Sequence, residues 1–67
     1  LDSNETYGYY TIEKGDNLYA LARDFFTTMA EIQRLNKMGK NTTIFPGKEL
    51  IVPTTKYNEY HNNVAQN

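Results

Sequence analysis

No cysteine occurs among the 67 residues of this chain, and its one histidine is His61. No disulfide, thiolate zinc site or histidine cluster can therefore brace the fold. A chain this short sits near the lower limit for a self-supporting core. It must stand on packed side chains, of which roughly ten are large and apolar, each contributing ~1.5–3 kcal/mol when buried. Chain entropy offsets most of that gain. Little stability is left over for a deep cleft or a strained catalytic site.

The apolar residues with a usable pattern lie in one stretch, residues 9–53, which reads as a single domain with no internal repeat. Residues 1–8, LDSNETYG, are polar and read as a leader or linker. Residues 54–67, TTKYNEYHNNVAQN, carry four asparagines and only Val64 as an aliphatic larger than alanine, and read as a flexible polar tail. Leu1 in place of an initiator Met, with no signal-peptide pattern, reads as the start of a piece of a longer protein. No apolar run is long enough for membrane insertion. The formal net charge of −1 argues against a partner held mainly by charge, such as duplex DNA or an anionic membrane. A neutral ligand such as a sugar fits it.

Along residues 9–53 the pattern changes three times. Tyr10-Thr11-Ile12 alternates as a short strand does, with Tyr10 and Ile12 on one face. Gly15-Asp16-Asn17 breaks it, and Asp16 is placed to cap a helix. Leu18, Leu21, Ala22 and Phe25 follow at i, i+3, i+4 and i+7, one stripe of that helix. Thr28 with Glu31 makes a capping box, so a second helix starts there with Met29, Ile32 and Leu35 as its stripe. The turn between the helices is very short, which forces a hairpin. Residues 37–43 read as loop, and Ile44-Phe45-Pro46-Gly47 as a turn with Gly47 free to take positive φ. Glu49-Leu50-Ile51-Val52 alternates again, and Pro53 stops it. The expected class is α+β in the order strand, helix, helix, strand. The two strands pair antiparallel, and the helical hairpin covers one face. Ile12, Leu50 and Val52 then face Leu18, Leu21, Phe25, Ile32 and Leu35.

This ordered set resembles the LysM (lysin motif) family. The carriers are Tyr10-Thr11-Ile12, Gly15-Asp16-Asn17-Leu18, Leu21-Ala22, Thr28, Ile32, Leu35-Asn36, Ile44, Pro46-Gly47 and Leu50-Ile51-Val52-Pro53. The likeness spans about two thirds of the chain. Three departures stand out. Phe26 occupies the place where the family usually has a glycine after the first helix, which puts the shape of that turn in question. Asn17 replaces the usual threonine, and residues 37–43 are a long, polar approach to Ile44. The resemblance implies a non-catalytic βααβ module that binds N-acetylglucosamine-containing glycans, peptidoglycan or chitin-like. It further implies a shallow groove between the two loops at the strand–helix junctions, without cofactor or metal.

Carried over to this chain, those loops are Gly15, Asp16, Asn17, Leu18 and Tyr19 on one side and Thr43, Ile44, Phe45, Pro46 and Gly47 on the other. N-acetylglucosamine offers an amide, hydroxyls and one acetyl methyl. Main-chain groups can read the amide, and a small apolar notch can take the methyl. Free backbone groups at a helix start after Gly15, an apolar wall from Ile44 and Phe45, and a Tyr19 ring edge would meet those needs. Each residue also has a plainer role. Asp16 serves more readily as a cap than as a ligand contact, and Gly15 and Gly47 can serve their turns alone. Leu18 is core first, and Tyr19 and Phe45 can be ordinary surface aromatics. Asn36 is expected to satisfy backbone at the end of the second helix. Phe26 can be core or exposed patch, and Tyr57, Tyr60 and His61 receive no role.

Three rival functions fit parts of the same pattern. Glycoside hydrolysis wants two carboxylates about 5–9.5 Å apart across a bond, in a cleft. Glu13 with Asp16, and Asp24 with Glu31, lie close in sequence, but nothing predicts a cleft. Residues 20–36 look like a helix-turn-helix, whose outer face would offer bases only Gln33, Arg34 and Lys37, opposed by Glu31. A protein-interaction module that keeps the core but has left sugars behind is the third. The expectation is a monomeric module of an extracytoplasmic protein, in the periplasm or cell wall. A bacterial source is favoured because no cysteine flanks the module and residues with AT-rich codons abound.

Overall fold

The computed structural model describes residues 5–65; residues 1–4 of the expected leader and 66–67 of the expected tail lie outside the described residues. The first alternating segment is a strand, β1 (Tyr7–Thr11), that begins earlier than expected and takes in Tyr7 and Gly8 from the leader. The two apolar stripes become α1 (Leu18–Asp24) and α2 (Met29–Leu35), and the second alternation becomes β2 (Glu49–Pro53). β1 and β2 pair antiparallel with Tyr9 opposite Ile51, Tyr10 opposite Leu50 and Gly8 opposite Val52. The expected βααβ order and two-stranded sheet are therefore present.

The core is the layer between ribbon and helices. Ile12, Leu50 and Val52 come from the ribbon, and Leu18, Leu21, Ala22 and Ile32 from the helices; all are buried. Tyr10, Phe25, Met29, Met38 and Ile44 pack around its margin. Leu35 was expected in this layer, and the structure moves it out. It is half-buried and borders a shallow recess of about 200 Å³ with Tyr7, Tyr9 and Ile51, on the outward side of the ribbon. The cause is the next residue. The Asn36 side-chain amide donates to the Ile51 carbonyl (2.9 Å), and its carbonyl accepts from the Ile51 N–H (2.8 Å). This pair of hydrogen bonds to the edge of β2 fixes the end of α2 against the ribbon and turns Leu35 past the core. The same amide also donates to the Ile32 carbonyl (2.7 Å), the helix-end role expected of it.

The helix starts divide. Thr28 caps α2 as expected, its hydroxyl accepting from the Glu31 N–H at 3.1 Å. The return half of the capping box is absent, because Glu31 binds Arg34 through two parallel bonds of 2.8 Å instead. At α1 the cap is Asn17, not Asp16: Asn17 Oδ1 accepts from the Ala20 N–H at 2.8 Å. The register follows from Leu18 being the first helical residue, which leaves Asp16 one place too early.

Both helices end in one motif. After α1, the Thr27 N–H donates to the Ala22 carbonyl and the Phe26 N–H to the Arg23 carbonyl. After α2, Met38 and Lys37 repeat this with Gln33 and Arg34. This is the Schellman arrangement, which needs a left-handed residue after the cap. Phe26 and Lys37 fill that place, at φ 57° and 55°. The Phe26 turn thus keeps the backbone shape a glycine would take, and only the residue departs from the family. A left-handed L-residue costs ~1–2 kcal/mol, partly matched by the entropy a glycine loses on folding. Lys37→Gly is therefore expected to raise stability by about 0.5–1 kcal/mol, read as a higher urea midpoint at unchanged slope.

Residues 54–67, expected to be a flexible polar tail, instead hold a helix, α3 (Thr55–Ala65). Thr54 leads into it, accepting the Asn58 N–H (2.8 Å), and a threonine clasp fixes its start to the residue just before β1. The Thr6 N–H donates to the Thr55 hydroxyl (2.7 Å), and the Thr6 and Thr54 hydroxyls bond each other (2.8 Å). The Thr54 N–H closes on the Thr6 carbonyl (2.8 Å). Tyr57, Tyr60 and His61 share one face of α3 at i, i+3 and i+4. Tyr57 meets Phe25 with ring centroids 5.1 Å apart, and Tyr60 meets Phe26 at 5.2 Å. Aromatic rings supply the contact that aliphatic side chains were not there to make.

Candidate functional site

The ribbon runs two hydrogen bonds past its last paired residues, and these fix the candidate site. The Ile12 N–H donates to the Lys48 carbonyl (2.8 Å), and the Gly47 N–H donates to the Ile12 carbonyl (2.7 Å). Ile12 leads into the loop of Gly15–Tyr19, and Thr43–Gly47 lead into Lys48. Both loops therefore spring from the same end of the ribbon, the end opposite the threonine clasp.

Each loop is built on a tight turn. In the first, the Asp16 N–H closes on the Glu13 carbonyl (3.0 Å), with Gly15 in third place at φ 92°. In the second, the Lys48 N–H closes on the Phe45 carbonyl (3.2 Å), with Pro46 second and Gly47 third at φ 87°. Proline followed by a positive-φ glycine is the type II signature. A Cβ added at Gly15 or Gly47 would meet no atom within 4 Å beyond its chain neighbours, so the demand at both places is backbone conformation. The approach to the second turn is also held. Thr43 N–H donates to Asn41 Oδ1 (3.0 Å), and the Asn41 carbonyl accepts from the Gln33 side-chain amide (2.8 Å).

The ten residues expected at the site divide by what they do. Leu18 is buried in the core. Asn17 caps α1. Gly47 gives its N–H to Ile12 and so serves its turn. Ile44 is half-buried against the core margin. Thr43 and Pro46 are exposed. Tyr19 and Phe45 stand out most, 62% and 60% exposed, and the Arg23 guanidinium lies 5.8 Å from the centre of the Tyr19 ring. Three recesses among the described residues, of about 290, 480 and 200 Å³, take in none of the residues 15–19 or 43–47. What these loops offer is surface: two exposed rings and turn backbone.

Asp16 has a structural task that sequence reasoning missed. Its Oδ2 accepts from the Tyr10 hydroxyl (2.6 Å) and from the Glu13 N–H (2.8 Å), tying the first loop to β1. The Tyr10 bond, followed by that of Glu13, holds the Asp16 carboxyl below its ordinary value. The Tyr10 hydroxyl is pushed up to about 12 by its bond to Asp16 first, then by burial and the neighbouring negative charges. A carboxylate with a lowered folded-state pKa adds stability above its ordinary value of 3.8 and loses it as pH falls through the lower one. Wild type is therefore expected to exceed Asp16→Asn in stability at neutral pH, with the gap closing below pH 3.8. Thermal melts of both proteins across that range test it. Tyr10 followed by Asp16 six residues on was the available signal.

Comparison with known proteins gives one family. No solved structure matches the chain. The family model for the LysM domain matches residues 10–53. That span runs from the middle of β1 to the last residue of β2, takes in both loops and the whole core, and covers about two thirds of the 67 residues. The chain belongs to the LysM domain family.

Proposed function

We propose that this module holds a larger cell-envelope protein on a glycan by gripping N-acetylglucosamine units between Gly15–Tyr19 and Thr43–Gly47, with bacterial peptidoglycan as the polymer. LysM domains are carbohydrate-binding modules for N-acetylglucosamine-containing glycans such as peptidoglycan or chitin. The observation that carries the finer reading is the pair of bonds through Ile12, which brings both loops to one end of a rigid ribbon. Tyr19 and Phe45 supply ring faces there, and turn backbone supplies polar groups suited to an acetamide. The ligand role is that of a binder, and cutting of the polymer is left to other domains.

The helix-turn-helix alternative is disfavoured by what its base readers do. The Gln33 amide is engaged with the Asn41 carbonyl, and the Arg34 guanidinium is locked on Glu31. Of the three candidates only Lys37 stays exposed without such a bond, and it sits past the helix end.

An NMR titration with N-acetylglucosamine oligomers and with muropeptides tests the proposal. Amide shifts should gather at residues 15–19 and 43–47, and muropeptides should bind the tighter. Tyr19→Ala combined with Phe45→Ala should weaken binding about tenfold, the equivalent of ~1.4 kcal/mol of lost ring contact. Unchanged affinity in that double variant, or a tighter hold on chitin fragments, would count against the site or the polymer respectively.

A further inference from the structure

A second concentration of aromatic side chains lies outside the site just described, half of its rings coming from a helix beyond the LysM match. Phe25 and Phe26 at the end of α1 meet Tyr57 and Tyr60 of α3. His61 stacks on Tyr57 at 4.2 Å and meets Tyr60 edge-on at 5.4 Å. With Tyr10 of β1 these rings border a recess of about 480 Å³. That volume falls in the ~300–1,000 Å³ range of small-ligand sites.

Three observations separate this recess from an ordinary core. First, its rings are open to solvent: Phe26 is 44% and Tyr60 52% exposed, although they touch each other. Second, charged groups stand at the aromatic wall, since Arg23 and Asp24 of α1 line the same recess. Third, Phe26 holds its ring there from a left-handed backbone, a costly conformation for any residue with a side chain. Ring faces in a recess that Arg23 and Asp24 also line match a pyranose, whose C–H face is apolar and whose rim is hydroxyls. Tyr10 joins the two regions physically, its hydroxyl held by Asp16 in the first loop and its ring 5.7 Å from Phe25.

We infer that the recess between α1 and α3 is a second sugar-binding site, where Phe26 and Tyr60 take the face of a pyranose and Arg23 and Asp24 bind its hydroxyls. The inference rests on the reading of this module as a glycan binder. Two weak sites on one rigid body suit a polymer that repeats the same sugar, because the second contact is made at high effective concentration.

The N-acetylglucosamine tetramer, titrated into the whole chain, is the test. Two groups of amides should shift, residues 15–19 with 43–47 and residues 23–26 with 57–61. Phe26→Gly suits the left-handed backbone and so keeps the fold; with or without Tyr60→Ala it should weaken the second group's response roughly tenfold and leave the first group's unchanged. Shifts confined to the first group overturn the second site and leave the loop site standing. Shifts confined to the second group do the reverse. Shifts at 23–26 and 57–61 that survive Phe26→Gly with Tyr60→Ala, or that appear on concentrating the protein without sugar, also overturn it; the latter would make the patch a contact between two copies of the chain.

Discussion

Asn36→Ala is expected to lower stability by about 2–3 kcal/mol, although it removes no apolar contact of any size. The Ile51 N–H and carbonyl both bond to this one side chain, as a neighbouring strand would bond them. Each half-buried group left without a partner costs on the order of 1–3 kcal/mol, eased here by partial access to water. Asn36→Asp should fare no better at neutral pH. It keeps an acceptor for the Ile51 N–H but turns a negative oxygen toward the Ile51 and Ile32 carbonyls, where the amide now donates. Urea denaturation of the three proteins checks this. An alanine variant within ~0.5 kcal/mol of wild type would show that water replaces the amide fully.

Ile32→Ala has the larger expected effect, about 3–4 kcal/mol within the range for large-to-small core changes. Ile32 is the one core residue with no exposed surface at all. It sits where α2 meets both the ribbon and α1, so truncation leaves a cavity no single neighbour can fill. Small domains hold roughly 0.05–0.15 kcal/mol per residue, which makes such a loss a large share of the total for a chain of this size. Ile32→Val should cost only about 0.5–1.5 kcal/mol. Thermal unfolding followed by circular dichroism would show the alanine variant largely unfolded near physiological temperature and the valine variant folded.

The fold was legible wherever periodicity and burial agree. Leu18, Leu21 and Ala22 are spaced for one helix face, and they are buried on one. Leu50 and Val52 alternate with exposed or half-buried positions and lie in the core. Legibility failed where a polar side chain decided geometry over a distance. Leu35 has the spacing of a core residue, but Asn36 bonding to a strand fifteen positions on displaced it, and no local pattern encodes that bond. The Asp16 assignment failed by one residue, since Asp and Asn are equally good caps and the sequence places them side by side. α3 has no aliphatic stripe to announce it; its signal is the helical spacing of Tyr57, Tyr60 and His61. At the candidate site, the turns with Gly15 and Gly47 were readable from their residues. The bonds through Ile12 that unite the two loops were not, being backbone bonds between positions some thirty-five apart.

The threonine clasp has an architectural outcome. Residues Glu5 and Thr6 are fastened beside Thr54 and Thr55, at the far pole of the ribbon from Tyr19 and Phe45. Among the described residues, the chain thus enters β1 at the pole opposite the two loops. On the proposed function, a glycan that meets Tyr19 and Phe45 approaches the one pole where neither Glu5 nor the start of α3 stands in its way.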